Sequence, residues 1–209
     1  MTPPSRRLAR DGVIAGAAFT VGGTLFAIGA FLAQTGAELL AVNLTYLVGG
    51  GFFSLGGWLS VVVATAPSRA WRSAVVLFVG TLLFAVSLVA AFASGLTPRQ
   101  SNGWIWLPDI LGCVCFLLSG HLAMLDVGQG RVRLLVGELD WWVAAVNQVG
   151  SVLFFLAGLA AFVRPATSEA IDVGLVNWGT FAGAACFALA GIAQTGGGLG
   201  TLRRAALDA

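Results

Sequence analysis

Proton chemistry needs titratable groups that meet, and this chain offers few. Asp109 is the one acidic residue expected within a membrane span, and His121 is the sole histidine. They stand twelve positions apart on the same run. At 1.5 Å per helical residue that is about 18 Å, so they cannot share a proton within one helix. Pro108 before Asp109 also reads as a helix start, with the carboxylate facing free amides and the positive end of the dipole. The alternative is a proton or cation site, since ionisable groups within a membrane are costly and functional by default. His121 is expected at the membrane interface. Asn43, Asn147 and Asn177, with Gln148 and Gln194, can donate and accept between helices. Helix pairing, at about 0.6 to 2 kcal/mol per bond, is the first expectation for them, and a polar permeation path is the second.

Other reactive groups point to packing. Cys113 and Cys115 project about 200° apart on a helix, which does not suit one metal. All three cysteines, Cys186 included, read as small apolar thiols between helices. The chain has no His-Glu-x2-His, Gly-x-Ser-x-Gly or phosphate-loop motif and no cysteine pairs at zinc spacing. The expectation is therefore a non-enzymatic protein without catalytic residues, metal or cofactor.

The elements that position these residues follow from composition. Hydrophobic residues make up 58% of the 209 positions and charged residues 10%. A soluble domain carries about 25% charged residues. Spanning about 30 Å of hydrocarbon takes about 20 apolar residues, and the chain holds six such runs. They fall at about 12–34, 38–64, 71–94, 107–125, 141–163 and 171–195. The fold class is all-α: a polytopic membrane protein, a bundle of six transmembrane helices with short loops. A basic N-terminal segment (1–11) and a C-terminal tail (196–209) flank the transmembrane domain (12–195), and the glycines at 196–200 read as a flexible exit. A net charge of +2 gives no surface for nucleic acid.

All eleven basic residues are Arg. Arg6, Arg7, Arg10, Arg69, Arg72, Arg131, Arg133, Arg203 and Arg204 fall on one side of a six-span layout, and only Arg99 and Arg164 on the other. Because basic residues accumulate on the cytoplasmic side, both termini are expected in the cytoplasm, with the chain in the cell membrane. Trp71, Trp141 and Trp142 on that side, and Trp104 and Trp106 on the other, read as an aromatic belt.

One pattern recurs in every run: Gly, three residues, Phe, two residues, then a small residue. The instances are Gly22/Phe26/Gly29, Gly49/Phe53/Gly56, Gly80/Phe84/Ser87, Gly112/Phe116/Ser119, Gly150/Phe154/Ala157 and Gly183/Phe187/Ala190. Positions i, i+4 and i+7 share a stripe about 60° wide on a helix. Lipid supplies no hydrophobic force between helices, so close approach at small residues, filled by rings, predicts a packing stripe. Lining of a cavity or hydrophobic gate is the alternative.

Within this pattern, Asp109-x2-Gly112-x3-Phe116-x2-Ser119 and Asn147-x2-Gly150-Ser151-x2-Phe154-x2-Ala157 resemble the YrhK-like domain, whose core is an Asn-x2-Gly-Ser-x2-Phe type of transmembrane segment. The stretches Trp106-Leu107-Pro108-Asp109 and Asn177-Trp178-Gly179-Thr180-Phe181-x-Gly183-Ala184-x-Cys186-Phe187 are similar to bacterial multi-pass proteins containing that domain. The fourth run departs from the pattern, with Asp109 for Asn and Cys113 for Ser. The resemblance implies a membrane domain with no catalytic residues to carry over. Two functions follow from the sequence: first a membrane scaffold or assembly partner, as a homo-oligomer or with another membrane protein, and second a small-solute or ion permeation protein. The lipid bilayer is the partner in both.

Overall fold

The computed structural model describes residues 2–207. Six helices carry the fold: α1 (Pro3–Gln34), α2 (Leu39–Val63), α3 (Arg69–Ala90), α4 (Pro98–Val127), α5 (Leu139–Ala160) and α6 (Val173–Leu207). Each is long and apolar enough to cross a membrane. Large apolar side chains such as Ile28, Leu55, Leu118 and Leu189 face outward, as they do where lipid is the solvent. The chain is a multi-pass membrane protein with an all-α fold.

Local chemistry sets the helix ends. Gly36, at φ 73°, ends α1 while the Gly36 and Ala37 amides donate back to Ala33 and Leu32, which satisfies the last carbonyls. The Ser68 hydroxyl accepts from the Trp71 amide at 3.1 Å to start α3. The Asp172 carboxylate does the same for Leu175 at 2.9 Å ahead of α6.

Three boundaries differ from the sequence expectations. The segment 97–103, expected as a loop, is helical from Pro98, because Thr97 and Gln100 form a capping box. A π-helical turn at Asn102–Trp106 then joins it to the apolar run. Pro108 lacks an amide and its ring would collide with a carbonyl one turn earlier, and the wider turn accommodates both. Asp109 is therefore inside a continuous helix and caps nothing. At the chain ends, the described parts of the expected 1–11 and 196–209 segments are not separate from the outer helices: α1 begins at Pro3 and α6 runs to Leu207. With 32 and 35 residues these helices measure about 48 and 52 Å and overshoot the hydrocarbon. Packing outweighs the helix penalty of glycine here: Gly198 lies against Val13, and Gln194 donates to the Gly12 carbonyl at 3.2 Å.

The helices form a closed ring, each packed against its neighbours in the chain, with α6 sealing onto α1. That seal is tight. A Cβ on Gly191 would stand 2.6 Å from the Gly16 carbonyl oxygen, and one on Gly23 2.7 Å from that of Ala184. Successive helices antiparallel to one another put the nine arginines named above on one face of the ring, called here the Arg-rich face.

Candidate functional site

The recurring stripe faces inward on every helix, and all eighteen of its residues are buried. Within each hairpin the pairing is reciprocal. A Cβ on Gly22 would stand 2.9 Å from the Phe53 ring, and one on Gly49 would stand 2.8 Å from the Phe26 ring. Gly80 and Gly112 meet Phe116 and Phe84 in the same way, and Gly150 and Gly183 meet Phe187 and Phe154. The hairpins α1/α2, α3/α4 and α5/α6 are thus built alike.

Helix direction turns this motif into two layers. Phe follows Gly by four residues, or about 6 Å of rise. On α2, α4 and α6, which run toward the Arg-rich face, that step displaces the ring toward it; on α1, α3 and α5 it displaces the ring away. Phe53, Phe116 and Phe187 consequently form one triad, with centroids 6.2, 5.5 and 5.5 Å apart. Behind it, Phe154 touches both Phe26 and Phe84 at 6.2 Å. Rings of the two layers meet within each hairpin at 5.3, 5.0 and 5.3 Å. These spacings lie in the favourable range for aromatic pairs. The space left among them is about 10 Å³, at or below what one water needs.

On the Arg-rich side of the triads the ring is open. A cavity of about 710 Å³ is lined by residues of all six helices. Phe19, Phe116 and Phe187 form its floor, and Ser60, Ser73, Ser119, Asn147, Ser151 and Gln194 supply polar groups to its wall. Asp126 and Asp140 stand at its mouth. Ser73 and Ser119 are locked together, each hydroxyl 2.9 Å from the other residue's carbonyl oxygen. Ser151 donates to the Asn147 carbonyl at 2.8 Å. The Asn147 side chain makes no hydrogen bond among the described residues.

The third position of the stripe breaks the regularity that the sequence motif suggests. On α1, α3 and α5 it lies beyond the rings, away from the Arg-rich face, so Gly29, Ser87 and Ala157 are cut off from the cavity. Gly29 lies against the Tyr46 ring, and Ala157 lies against Gly179 of α6. Ser87 is buried, and its carbonyl accepts the Ala91 amide at 3.0 Å where α3 ends. On α2, α4 and α6 the third position lies on the cavity side, yet only Ser119 reaches the cavity wall. Gly56 is covered by the Phe19 ring, 2.9 Å from where its Cβ would stand. Ala190 is buried beside Gly191, in the seal with α1. Of the eighteen stripe residues only Phe116, Ser119 and Phe187 line the cavity; the alternative of a cavity-lining stripe is corrected for the other fifteen, Gly29, Gly56, Ser87, Ala157 and Ala190 among them.

The structure separates the polar residues singled out in the sequence. Asn147 lines the cavity, whereas Asp109, Asn43 and Asn177 do not. Asn43 donates to the Ala91 carbonyl at 3.0 Å and ties α2 to the end of α3. Asn177 donates to the Gln34 side-chain oxygen at 3.0 Å and ties α6 to α1. Asp109 packs beside Gly158 of α5, beyond the triads. His121 is exposed on the outside of the bundle, so it joins neither the cavity nor Asp109. Cys113 donates to the Phe154 carbonyl at 3.4 Å, and all three thiols are free. Among the described residues no cluster of His, Cys, Asp or Glu is arranged to hold a metal. Tryptophans do more than mark depth: Trp106 donates to the Gly158 carbonyl at 2.8 Å, and Trp141 to that of Arg133 at 2.7 Å, fixing the α4–α5 connection.

Asp126 and Asp140 were not among the sequence candidates, although the stripe leads to them. Steps of three and four residues from Phe116 pass Ser119 and Ala123 and arrive at Asp126. The same steps back from Phe154 pass Ser151, Asn147 and Ala144 and arrive at Asp140. Comparison of the chain with family models, with curated proteins and with solved structures yields no match in any of the three.

Proposed function

We propose that the protein is a small-solute permeation or transport protein of the cell membrane, which admits its solute through the cavity and holds it against the phenylalanine triads. The cavity carries this reading. Its volume of about 710 Å³ is within the usual range for small-molecule sites, and its wall is apolar with a few placed hydroxyls and amides. A double aromatic layer at mid-bundle is the expected form of a hydrophobic gate. The Arg distribution supports placing the open face and both termini in the cytoplasm. The YrhK-like resemblance belongs to the same reading, since its Asn147, Gly150 and Phe154 run from cavity wall to gate. The reading is non-enzymatic.

The competing reading, a membrane scaffold or assembly partner, draws on the packing stripe present on every helix and on the short loops. All eighteen stripe residues are buried within the bundle, which supports their use in packing within the chain.

Thiol accessibility tests the proposal without knowledge of the solute. With Cys113, Cys115 and Cys186 replaced by Ala, Asn147→Cys in sealed vesicles of each orientation is expected to react rapidly with an impermeant maleimide from the Arg-rich face. A slower reaction from the opposite face is expected as the gate turns over. Reaction from the Arg-rich face alone would overturn the transport reading.

A further inference from the structure

Charge at the cavity contrasts with charge around it. Nine of the eleven arginines occupy the face on which the cavity opens, yet all nine are exposed and none lines it. The charged residues that do line it are Asp126 and Asp140. Arg131 and Arg133 lie on the connection just beyond Asp126, where the Trp141 indole holds the Arg133 carbonyl, and Arg69 lies over Gly130. The chain thus keeps its cations off the cavity wall and sets two carboxylates at the mouth.

Below the mouth the wall is neutral, with hydroxyls and the amides of Asn147 and Gln194, and the floor is aromatic. Ten residues of α4 separate Asp126 from Phe116, which makes the cavity about 15 Å deep from carboxylate to ring. An anion entering here would meet two like charges and find no cation to pair with. A small inorganic cation would leave the apolar wall and floor unused. Aromatic faces favour cations and apolar groups alike.

On the reading that the cavity binds a solute, we infer that this solute is an organic cation with an apolar body. Its charged end sits between Asp126 and Asp140, and its body extends along the wall toward Phe19, Phe116 and Phe187. The two carboxylates supply the selection for charge, and the depth of the cavity supplies the selection for length.

Two ions of nearly equal shape and opposite charge make the test. Binding of tetraphenylphosphonium and of tetraphenylborate is measured by equilibrium dialysis on the full chain in lipid nanodiscs. A cavity-filling variant, Ala123→Trp, serves as the blank for partition into lipid. Cavity-dependent binding of the phosphonium, with the borate weaker by about tenfold or more, is expected. Asp126→Asn/Asp140→Asn, at exposed positions that leave the fold intact, is expected to weaken the phosphonium by about tenfold and to leave or improve the borate. Equal cavity-dependent binding of both ions would overturn the assignment of charge while leaving the solute-binding reading in place. Wild type indistinguishable from Ala123→Trp for both ions would overturn the two together.

Discussion

Two stacked aromatic layers make a prediction that a single layer would not. Phe116 belongs to the layer bordering the cavity and Phe154 to the layer behind it, with ring centroids 6.4 Å apart. Each Phe→Ala change empties about 100 Å³, and at about 24 cal/mol per Å³ of unrelaxed space it costs about 2.4 kcal/mol. The water-to-oil part of the soluble-protein penalty is absent, because lipid is as apolar as the core. Alone, Phe116→Ala deepens the cavity but leaves Phe26, Phe84 and Phe154 behind it. Alone, Phe154→Ala leaves the triad of Phe53, Phe116 and Phe187 closed. Phe116→Ala/Phe154→Ala joins the two holes into a path of about 200 Å³ from the cavity to the neighbourhood of Gly158 and Asp109. The control is Phe53→Ala/Phe116→Ala, which removes the same volume from one layer only. In proteoliposomes loaded with a pH-sensitive dye under a potassium diffusion potential, wild type, both single variants and the control are expected to remain tight. The cross-layer double variant is expected to leak at least about tenfold faster, corresponding to about 1.4 kcal/mol removed from the barrier. Equal leakage from the control and the cross-layer variant would show that volume, not layering, closes the bundle. A folded cross-layer variant that stays tight would refute the gate.

The seal between α1 and α6 and one buried amide give two further expectations. Gly191→Val puts carbon where the Gly16 carbonyl and the Thr20 amide leave 2.6 and 2.7 Å, and is expected to lower stability in detergent by about 1 to 3 kcal/mol. Gly12→Ala, with nothing within 4 Å of the added carbon, is expected to raise the thermal midpoint slightly, since alanine favours the helix over glycine by up to about 1 kcal/mol. Gln148 buries its side-chain oxygen without a hydrogen-bond partner among the described residues. Gln148→Met keeps the length, removes that oxygen, and is expected to raise stability by about 1 to 2 kcal/mol; a lower midpoint would show that the oxygen is satisfied in the membrane.

Much of the bundle was legible because the bilayer imposes it. Six apolar runs are six spans wherever backbone groups must be satisfied within the helix. The stripe was legible as a motif, and its burial follows from the close approach that only Gly, Ser and Ala allow. Its partition into two triads was not read from spacing alone, since it needs the alternation of helix direction combined with the four-residue offset of Phe from Gly. The same alternation separates Ser87, beyond the phenylalanine layers, from Ser119, on the cavity wall, although the motif writes them alike. The helical ends of α1 and α6 were hidden for another reason. Local propensity at Gly196, Gly197 and Gly198 argues against helix, and the packing of α6 on Val13 and Leu139 overrides it. Pro108 misled in the same way, its usual meaning as a helix start being cancelled by the π turn before it.

The position of the cavity follows from side-chain size along the same stripe. Continued toward the Arg-rich face, the stripe offers Ala15 and Gly12 on α1, Ala74 and Ala70 on α3, Ala123 on α4 and Gly197 on α6. Helices held apart at mid-bundle by six rings cannot close over residues this small, so space remains. Continued the other way, it offers Tyr46 and Asp109, with Trp106 alongside, and Tyr46 fills the gap at Gly29. The carboxylate of Asp109 is therefore on the far side of the phenylalanine layers from the cavity. Seven residues of α4, or about 10 Å, separate it from Phe116. A solute on the floor of the cavity and a proton or cation at Asp109 cannot touch in this state. Any coupling between them has to act through displacement of the phenylalanine rings.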